Sequence, residues 1–426
     1  MKFSYILIRY LANLPFAILI FLSIAIFSIF GSIIEQEQSF DFYKNLYSQP
    51  LFGLIDYKLI LNLGLDHVFK TWWFISLLLI FGSSLTCCTF LQQLPTLKSV
   101  RRIKFYQSTK MLASLPVSKR ILFQSDGKIF VSLLPNSYRV FQSFDKTYAN
   151  KGIVGRISPI VVHFSMVLIL IGTILASTKG FIAQELVPES EIFYIQNVLN
   201  NNIFSFVPHL SGRINDFWIL YNDDSKIRQF YTDFSLLNKE GIEIKRETIY
   251  VNHPLKYNGL TFYQTDWNIL ATRVSYDLSK PYQIPYLKQA NNLWITWLPF
   301  QIEKLQQFIP KFGSVVWDQT LTETNILFDP NGKFLGINEL NESFPNIPNV
   351  KFSDLIAETG IQIKSDPGLI LIYFGFFLLI ISIISSYQSY SQLWILPTWD
   401  ALFVVGTSNR SKFEFEFEVV NLGFKI

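Results

Sequence analysis

Cysteine and histidine are scarce: the chain of 426 residues holds two of the first and four of the second. Cys87 and Cys88 are adjacent, so they lack the spacing of a thioredoxin-like C-x-x-C site. Lying near the end of an apolar run, they read as buried thiols without a redox task. The histidines are His67, His163, His209 and His253. No third histidine or cysteine cluster accompanies His209 and His253, which leaves zinc without a ligand set; both read as turn or surface residues. No phosphate loop, metalloprotease motif or serine nucleophile elbow is present. Paired carboxylates such as Asp223-Asp224 sit in turn-like contexts. Residue chemistry therefore nominates no catalytic group.

Charge is missing from four long stretches. Leu14 to Ile34, Trp72 to Phe90, Ile160 to Ser177 and Leu369 to Ser385 are almost free of it. Each is near the ~20 residues that cross hydrocarbon as a helix. A soluble chain buries its core through shorter periodic segments. No small-x-small cleavage site follows Phe30-Gly31-Ser32-Ile33, so the first run reads as a span and not as a signal peptide.

The charges between these runs orient them. Lys2 and Arg9 precede the first run without an acid, and residues 91–159 hold twelve Lys or Arg against Asp126 and Asp145. The positive-inside rule puts both on the cytoplasmic or equivalent side. Residues 35–70 carry five acids and three bases, and residues 180–366 carry twenty-one acids and fifteen bases. Both face the other side, and an even number of crossings returns the C-terminus inside. The net charge of +4 averages regions of opposite sign. Membrane topology accounts for the basic loop, so it is not read as a nucleic-acid surface.

The expected fold is a polytopic α-helical membrane protein with four transmembrane helices and a large, mainly antiparallel β soluble domain on the outer side. The division is 1–90 for an N-terminal pair of spans (about 14–34 and 72–90), 91–159 for a basic inner loop, and 160–178 for the third span. Residues 179–367 form the outer β-rich domain, and 368–426 the fourth span and inner tail. In the inner loop, Arg120 to Phe123, Lys128 to Leu134 and Tyr138 to Ser143 read as strands between turns. Outer strands are predicted at Ile203 to Phe206, Asp216 to Tyr221, Lys226 to Phe234, Ile242 to Tyr250, Leu260 to Asp266, Ile269 to Asp277 and Leu293 to Leu298, rich in β-branched and aromatic residues. The alternation in Lys412-Phe413-Glu414-Phe415-Glu416-Phe417-Glu418-Val419 predicts one half-buried strand. It would pair with the inner-loop sheet and set its acids against the loop's positive charge.

His163 is the fourth residue of the third run. An ionisable side chain there needs a partner, a cavity or a ligand. It reads either as a histidine bonded to a neighbouring helix or as a haem ligand. His67, between Asp66 and Trp72-Trp73, reads as an interfacial residue in an aromatic belt.

Five spaced elements match one family. They are Leu63 to Phe74, with Asp66-His67 and Trp72-Trp73; Ser83-Ser84-Leu85-Thr86-Cys87-Cys88-Thr89; and Ser158-Pro159-Ile160-Val161-Val162-His163-Phe164-Ser165-Met166. The fourth is Val251-Asn252-His253-Pro254-Leu255-Lys256-Tyr257-Asn258-Gly259-Leu260-Thr261-Phe262-Tyr263-Gln264-Thr265-Asp266-Trp267, and the fifth is Asp366-Pro367-Gly368. The sequence resembles the ResB-like, or CcsB-type, component of system II cytochrome c biogenesis, in its algal plastid or cyanobacterial form. The resemblance implies a thylakoid membrane protein with its termini on the stromal or cytoplasmic side and its large domain in the lumen. It implies a CcsA-type haem-handling partner, haem b held transiently and shared with it, and apocytochrome c as the acceptor. It raises His67 and His163 to candidate haem-binding positions. Trp72, Trp73, Tyr263, Gln264 and Trp267 become candidates for a structural or partner surface. The Trp-rich signature of the partner family is absent, so the chain is expected to be an accessory subunit without catalytic residues of its own. A membrane-anchored ligand-binding or adhesion module is the competing reading of the same layout.

Overall fold

The computed structural model describes residues 2–49, 56–103, 105, 117–122, 137–202, 204–222, 227–276, 280–289, 293–300, 311–318, 324–328, 331–339, 343–344, 347–397 and 401–422. The chain divides into two compact units, Met1–Ser177 with Gly368–Ile426, and Thr178–Pro367.

The first unit carries four helices long and apolar enough to cross a membrane: Leu14–Ile33, Trp72–Arg101, Val154–Lys179 and Leu369–Ser386. The second and third run beyond their apolar stretches by one to three turns, because the flanking polar residues still favour helix. The third and fourth pack through small residues. Gly155, Ser158, Ser165 and Gly172 are buried on the third, and Gly375 and Ser382 on the fourth. A Cβ on Gly375 would lie 3.0 Å from the Ser165 carbonyl oxygen, and one on Gly172 2.9 Å from that of Gly368. In hydrocarbon, where burying apolar surface gives helices no advantage, such close backbone approach is what holds a pair.

Where the first long helix ends and the second begins, Ile34, Tyr43, Ile60, Leu65, Val68 and Phe74 form a small core. Two short helices, Phe40–Leu46 and Tyr57–Leu63, are started by the Ser39 and Asp56 side chains, which accept from the backbone N–H groups of Phe42 and Leu59. The Tyr47 hydroxyl donates to Glu35 at 2.5 Å. Burial and this bond push the Tyr47 phenol up to about 12, and the same bond holds the Glu35 carboxyl below its ordinary range.

The basic loop and the C-terminal tail build one antiparallel sheet. Its order is Val117–Leu122, Ala401–Ser408, Ser391–Pro397, Lys146–Lys151 and Arg139–Ser143. Strands from before the third helix pair with strands from after the fourth, so the chain crosses a bilayer an even number of times between them. The predicted strands at Arg120 and Tyr138 fall within this sheet, while Lys128 to Leu134 lies outside the described residues.

The tail differs from expectation. Lys412–Leu422 is an α-helix and not a strand. Strict alternation also places apolar residues four apart, and the helix uses that spacing: Phe415 and Val419 are 3% and 1% exposed, whereas Phe413 and Phe417 are 88% and 68% exposed. Phe415 and Val419 pack on Leu393, Ile395 and Val404 of the sheet. One acid does meet the loop's charge, since Glu418 pairs with Lys151.

The second unit is antiparallel β throughout its described strands, in three sheets. The largest is organised by two long strands, Leu260–Tyr276 and Ile347–Ser365, paired along their lengths. Beside Ile347–Ser365 runs Phe181–Pro188, and beside that Val198–Asn201. A four-stranded sheet has the order Ile192–Tyr194, Ser211–Tyr221, Ile227–Leu237 and Glu243–Tyr250. Phe181, Ile214, Phe234, Ile249, Phe262 and Ile363 fill the space between these two sheets, and the buried Thr232 and Thr359 hydroxyls meet across it at 3.0 Å. The third sheet runs from Leu287–Gln289 to Phe334–Glu339.

Two strand expectations are corrected. Leu260 to Asp266 and Ile269 to Asp277 are one strand through Tyr276, because bulges at Gln264/Asp266 and Ile269/Ala271 carry the pairing past the polar break. Residues 204–206 are not strand but turn and irregular chain. Ser205 donates to the Asn202 carbonyl and Asn202 to that of Gly180, so local side-chain bonds replace ladder pairing there.

Candidate functional site

A histidine lies near each end of the second long helix, in two different settings. At its C-terminal end the helix changes its winding. After Cys88, residues Thr89–Gln93 form a π turn before α geometry resumes at Leu94. Pro95 has no N–H to give the Leu91 carbonyl, so regular winding is already interrupted here. Such single π turns shift side chains off the ordinary helical stripe and are common at functional sites.

The turn presents Thr89 and Gln93 to His163 of the third span. The Thr89 hydroxyl donates to the Leu85 carbonyl at 2.8 Å, so towards His163 Nδ1, 3.1 Å away, it acts as acceptor. The Leu85 carbonyl lies 3.4 Å from the same nitrogen. Both neighbours require a proton on Nδ1, which leaves the lone pair on Nε2. Gln93 Nε2 lies 3.0 Å from that nitrogen and 3.4 Å from Nδ1, off the axis of the lone pair, while its Oε1 is buried without a hydrogen-bond partner. The tautomer is thus assigned by the hydrogen-bond network. His163 is half-buried and lines a groove of about 400 Å³ with Phe90, Leu94, Ile160, Phe164 and Val167. A second groove of about 400 Å³ continues along the same two helices, sharing Thr86 and Val167.

At its N-terminal end His67 sits in the 3-10 turn Leu65–Lys70 with non-helical angles, φ −146° and ψ 45°. Gly64, at φ +70°, ends the preceding helix in the left-handed region, where a Cβ would also lie 2.8 Å from the Thr71 methyl. Gln36 pins the turn by donating to Leu65 O and accepting from Val68 N, both at 3.0 Å. His67 Nδ1 lies 2.9 Å from the Asp66 carboxylate, with 46% of its side chain exposed. Trp73 N–H donates to Leu63 O and packs on Phe27, whereas Trp72 is 80% exposed.

Both imidazoles share one logic. Nδ1 is oriented by an acceptor and Nε2 is the nitrogen left for a ligand, the arrangement typical of metal-binding histidine. Among the described residues no group of three His, Cys, Asp or Glu gathers to hold a bare metal ion. One imidazole beside an apolar groove fits haem iron better than it fits zinc. The two cannot serve one iron, because the 17-residue helix Trp72–Cys88 separates them, about 25 Å at 1.5 Å per residue.

The model of the ResB-like family matches residues 14–292. The chain is 46% identical over 417 residues to the cytochrome c biogenesis protein Ccs1 of Thalassiosira pseudonana, covering 97% of this chain and 98% of that one. It is 43% identical to the protein of that name from Phaeodactylum tricornutum, over 96% of this chain and 97% of the relative. To the cytochrome c biogenesis protein CcsB of a Nostoc species it is 40% identical, over 97% and 90%. The chain belongs to the ResB-like family.

Tyr263, Gln264 and Trp267, also singled out by the ResB-like resemblance, belong to the chain's second unit. Gln264 is 6% exposed, and Trp267 stacks between Phe230 and Trp294 at 5.7 and 5.2 Å. Tyr263 is half-buried in the same strand. Packing accounts for Trp267. His253 is exposed and stacks on Tyr250 at 4.6 Å beyond a tight turn; His209 is exposed. Cys87 and Cys88 are free and half-buried. Sequence reasoning missed Thr89 and Gln93. The available signal was a Thr and a Gln four residues apart, just before a proline, in a helix facing His163.

Proposed function

We propose that this ResB-like chain is a cytochrome c biogenesis subunit that holds haem b transiently and acts with a CcsA-type membrane partner to deliver it to apocytochrome c. The observation that carries this reading is His163, with Nδ1–H anchored by Thr89, lining an apolar groove beside a single displaceable amide. His163 Nε2 would be the iron ligand. Gln93 would swing aside to admit it, and Thr89 would keep the ring from turning. Haem supplies the iron and the vinyl carbons that end in thioether bonds. This chain's residues bind and orient, and none is assigned a catalytic step. Any further protein group on the same haem would have to come from elsewhere, because His67 lies a span's length away; a partner subunit would be the natural source. His67, oriented by Asp66, would serve a separate position near the outer mouth.

The charge asymmetry supports a stromal or cytoplasmic basic sheet with both termini, and a lumenal β domain, in the thylakoid membrane of a plastid or cyanobacterium. The names of the algal and cyanobacterial relatives support the pathway. Apocytochrome contact is assigned to the β domain as a whole and not to Trp267, whose ring is already packed.

The test is to purify the chain with and without its partner from cells carrying wild type, His163→Ala or His67→Ala, and to record haem absorbance and holo-cytochrome levels. Loss of haem and of holo-cytochrome in His163→Ala is expected. Normal cytochrome assembly after deletion of the gene would sink the proposal, and unchanged haem in both variants would remove the ligand assignment alone.

A further inference from the structure

The β unit has one end fixed by where the chain leaves and rejoins the spans. The third helix ends at Lys179 and the strand Phe181–Pro188 starts two residues later; the strand Ile347–Ser365 ends four residues before the fourth helix begins at Leu369. Phe181 pairs with Ser365, Asn201 with Phe181, and Leu260 with Ser365. Register therefore puts the turn after Asn201 and the hairpin tip Asn258-Gly259 on the same rim as the two chain crossings.

Two aromatic side chains stand out on this rim. The Phe204 N–H donates at 2.9 Å to the carbonyl of Thr178, in the last turn of the third helix. That bond holds the Phe204 backbone against the last turn of this helix. Phe204 is 68% and Phe206 74% exposed, although Phe181 and Phe262 at the same end are 2% and 1% exposed. The packed core thus takes some rim aromatics and leaves these two outside. Lys179, next to Thr178, is exposed, and Lys364 on the same rim reaches Asp366 at 3.6 Å. Exposed phenylalanine beside a lysine suits the boundary between headgroups and acyl chains. Rings enter the apolar side there, and ammonium groups reach the phosphates.

We propose that Phe204 and Phe206 insert into the headgroup–acyl boundary of the bilayer that the third and fourth spans cross, anchoring the β domain to the lipid surface. A protein partner on the same patch is the competing occupant. The proposal rests on the four-span reading and not on haem binding, so it survives or fails independently of the proposed function.

The test uses the full chain with Cys87→Ala and Cys88→Ala, labelled with bimane at Phe204→Cys, Phe206→Cys or Tyr282→Cys. Tyr282 pairs with Val274 in the register, about 45 Å of strand from Leu260 at ~3.3 Å per residue. In nanodiscs of phosphatidylcholine and phosphatidylglycerol carrying a nitroxide at the top of the acyl chain, the labels at 204 and 206 are expected to be quenched several-fold more than the label at 282. Equal quenching at all three positions would overturn the proposal. So would shielding at 204 and 206 that appears only when a partner subunit is added. If the cysteine replacements prevent folding, Phe204→Trp in brominated lipid, read as a difference from the wild-type chain, gives the same answer.

Discussion

The hydroxyl of Thr89 stands 3.1 Å from Nδ1 of His163 while donating its own proton 2.8 Å away to the Leu85 carbonyl. One oxygen thereby fixes both the tautomer and the ring plane of the only histidine within a span.

Replacing that oxygen is the sharpest probe of the site. Thr89→Val keeps the side-chain shape and removes the acceptor, so haem affinity of the purified complex should fall about 10–100-fold, the usual effect of losing an outer partner of a ligating histidine. Thr89→Ser should restore it. Haem titration followed by absorbance reads both, and a Val variant that binds like wild type would refute the positioning role.

Gln93→Ala should act in the opposite sense. It removes the amide that lies against the ring at Nε2 and leaves Nδ1 anchored, so haem binding is expected to be retained or strengthened in the same titration. A collapse to the His163→Ala level would show that Gln93 is needed and is no displaceable cap.

The contact between the third and fourth spans leaves no room at Gly375, where a Cβ would meet the Ser165 carbonyl at 3.0 Å and the Ile169 side chain at 2.6 Å. Gly375→Leu forces the helices apart and should destabilise the first unit by about 1–3 kcal/mol, as overpacking does. Ile380→Leu, at a position 57% exposed on the same helix, should be near neutral. Thermal unfolding in detergent compares the two.

Glu189 gives the β unit a pH dependence. Burial, with the neighbouring Asp216 carboxylate next in size, raises its carboxyl from 4.5 to about 7. Between these values the unfolded chain has released its proton and the folded chain has not, so stability falls as pH rises from about 4.5 to 7 and levels off above. Glu189→Gln removes the penalty: it should raise the melting temperature at pH 8 relative to wild type, with the advantage shrinking towards pH 5. An equal shift at both pH values would show that titration is not the cause.

The tail helix distinguishes faces that a strand would not. Phe415→Ala should cost about 3–5 kcal/mol as a buried aromatic truncation. Phe413→Ala and Phe417→Ala should stay within about 0.5 kcal/mol. Denaturant unfolding of the three variants measures the contrast.

That helix also marks how far sequence reading reached. Alternation of period two satisfies a strand and, through every fourth residue, a helix as well. Phe415 and Val419 could be told from Phe413 and Phe417 only once a sheet existed to cover one pair. The two sheet strands that the tail does contribute, Ser391–Pro397 and Ala401–Ser408, carry too little alternation to stand out alone. Val404 and Leu393 are buried by neighbours far away in sequence.

Sequence by itself determined the four long apolar helices and the β character of the large segment. Hydropathy and β-branched content act locally, and no distant residue has to be known to read them. His163 was visible for the same reason, as an imidazole that hydrocarbon alone would not tolerate. Its partners were not. Thr89 and Gln93 lie seventy or more residues away, and they reach the ring only because a π turn rotates them off the regular helical stripe. Which nitrogen carries the proton follows from that packing and from nothing local.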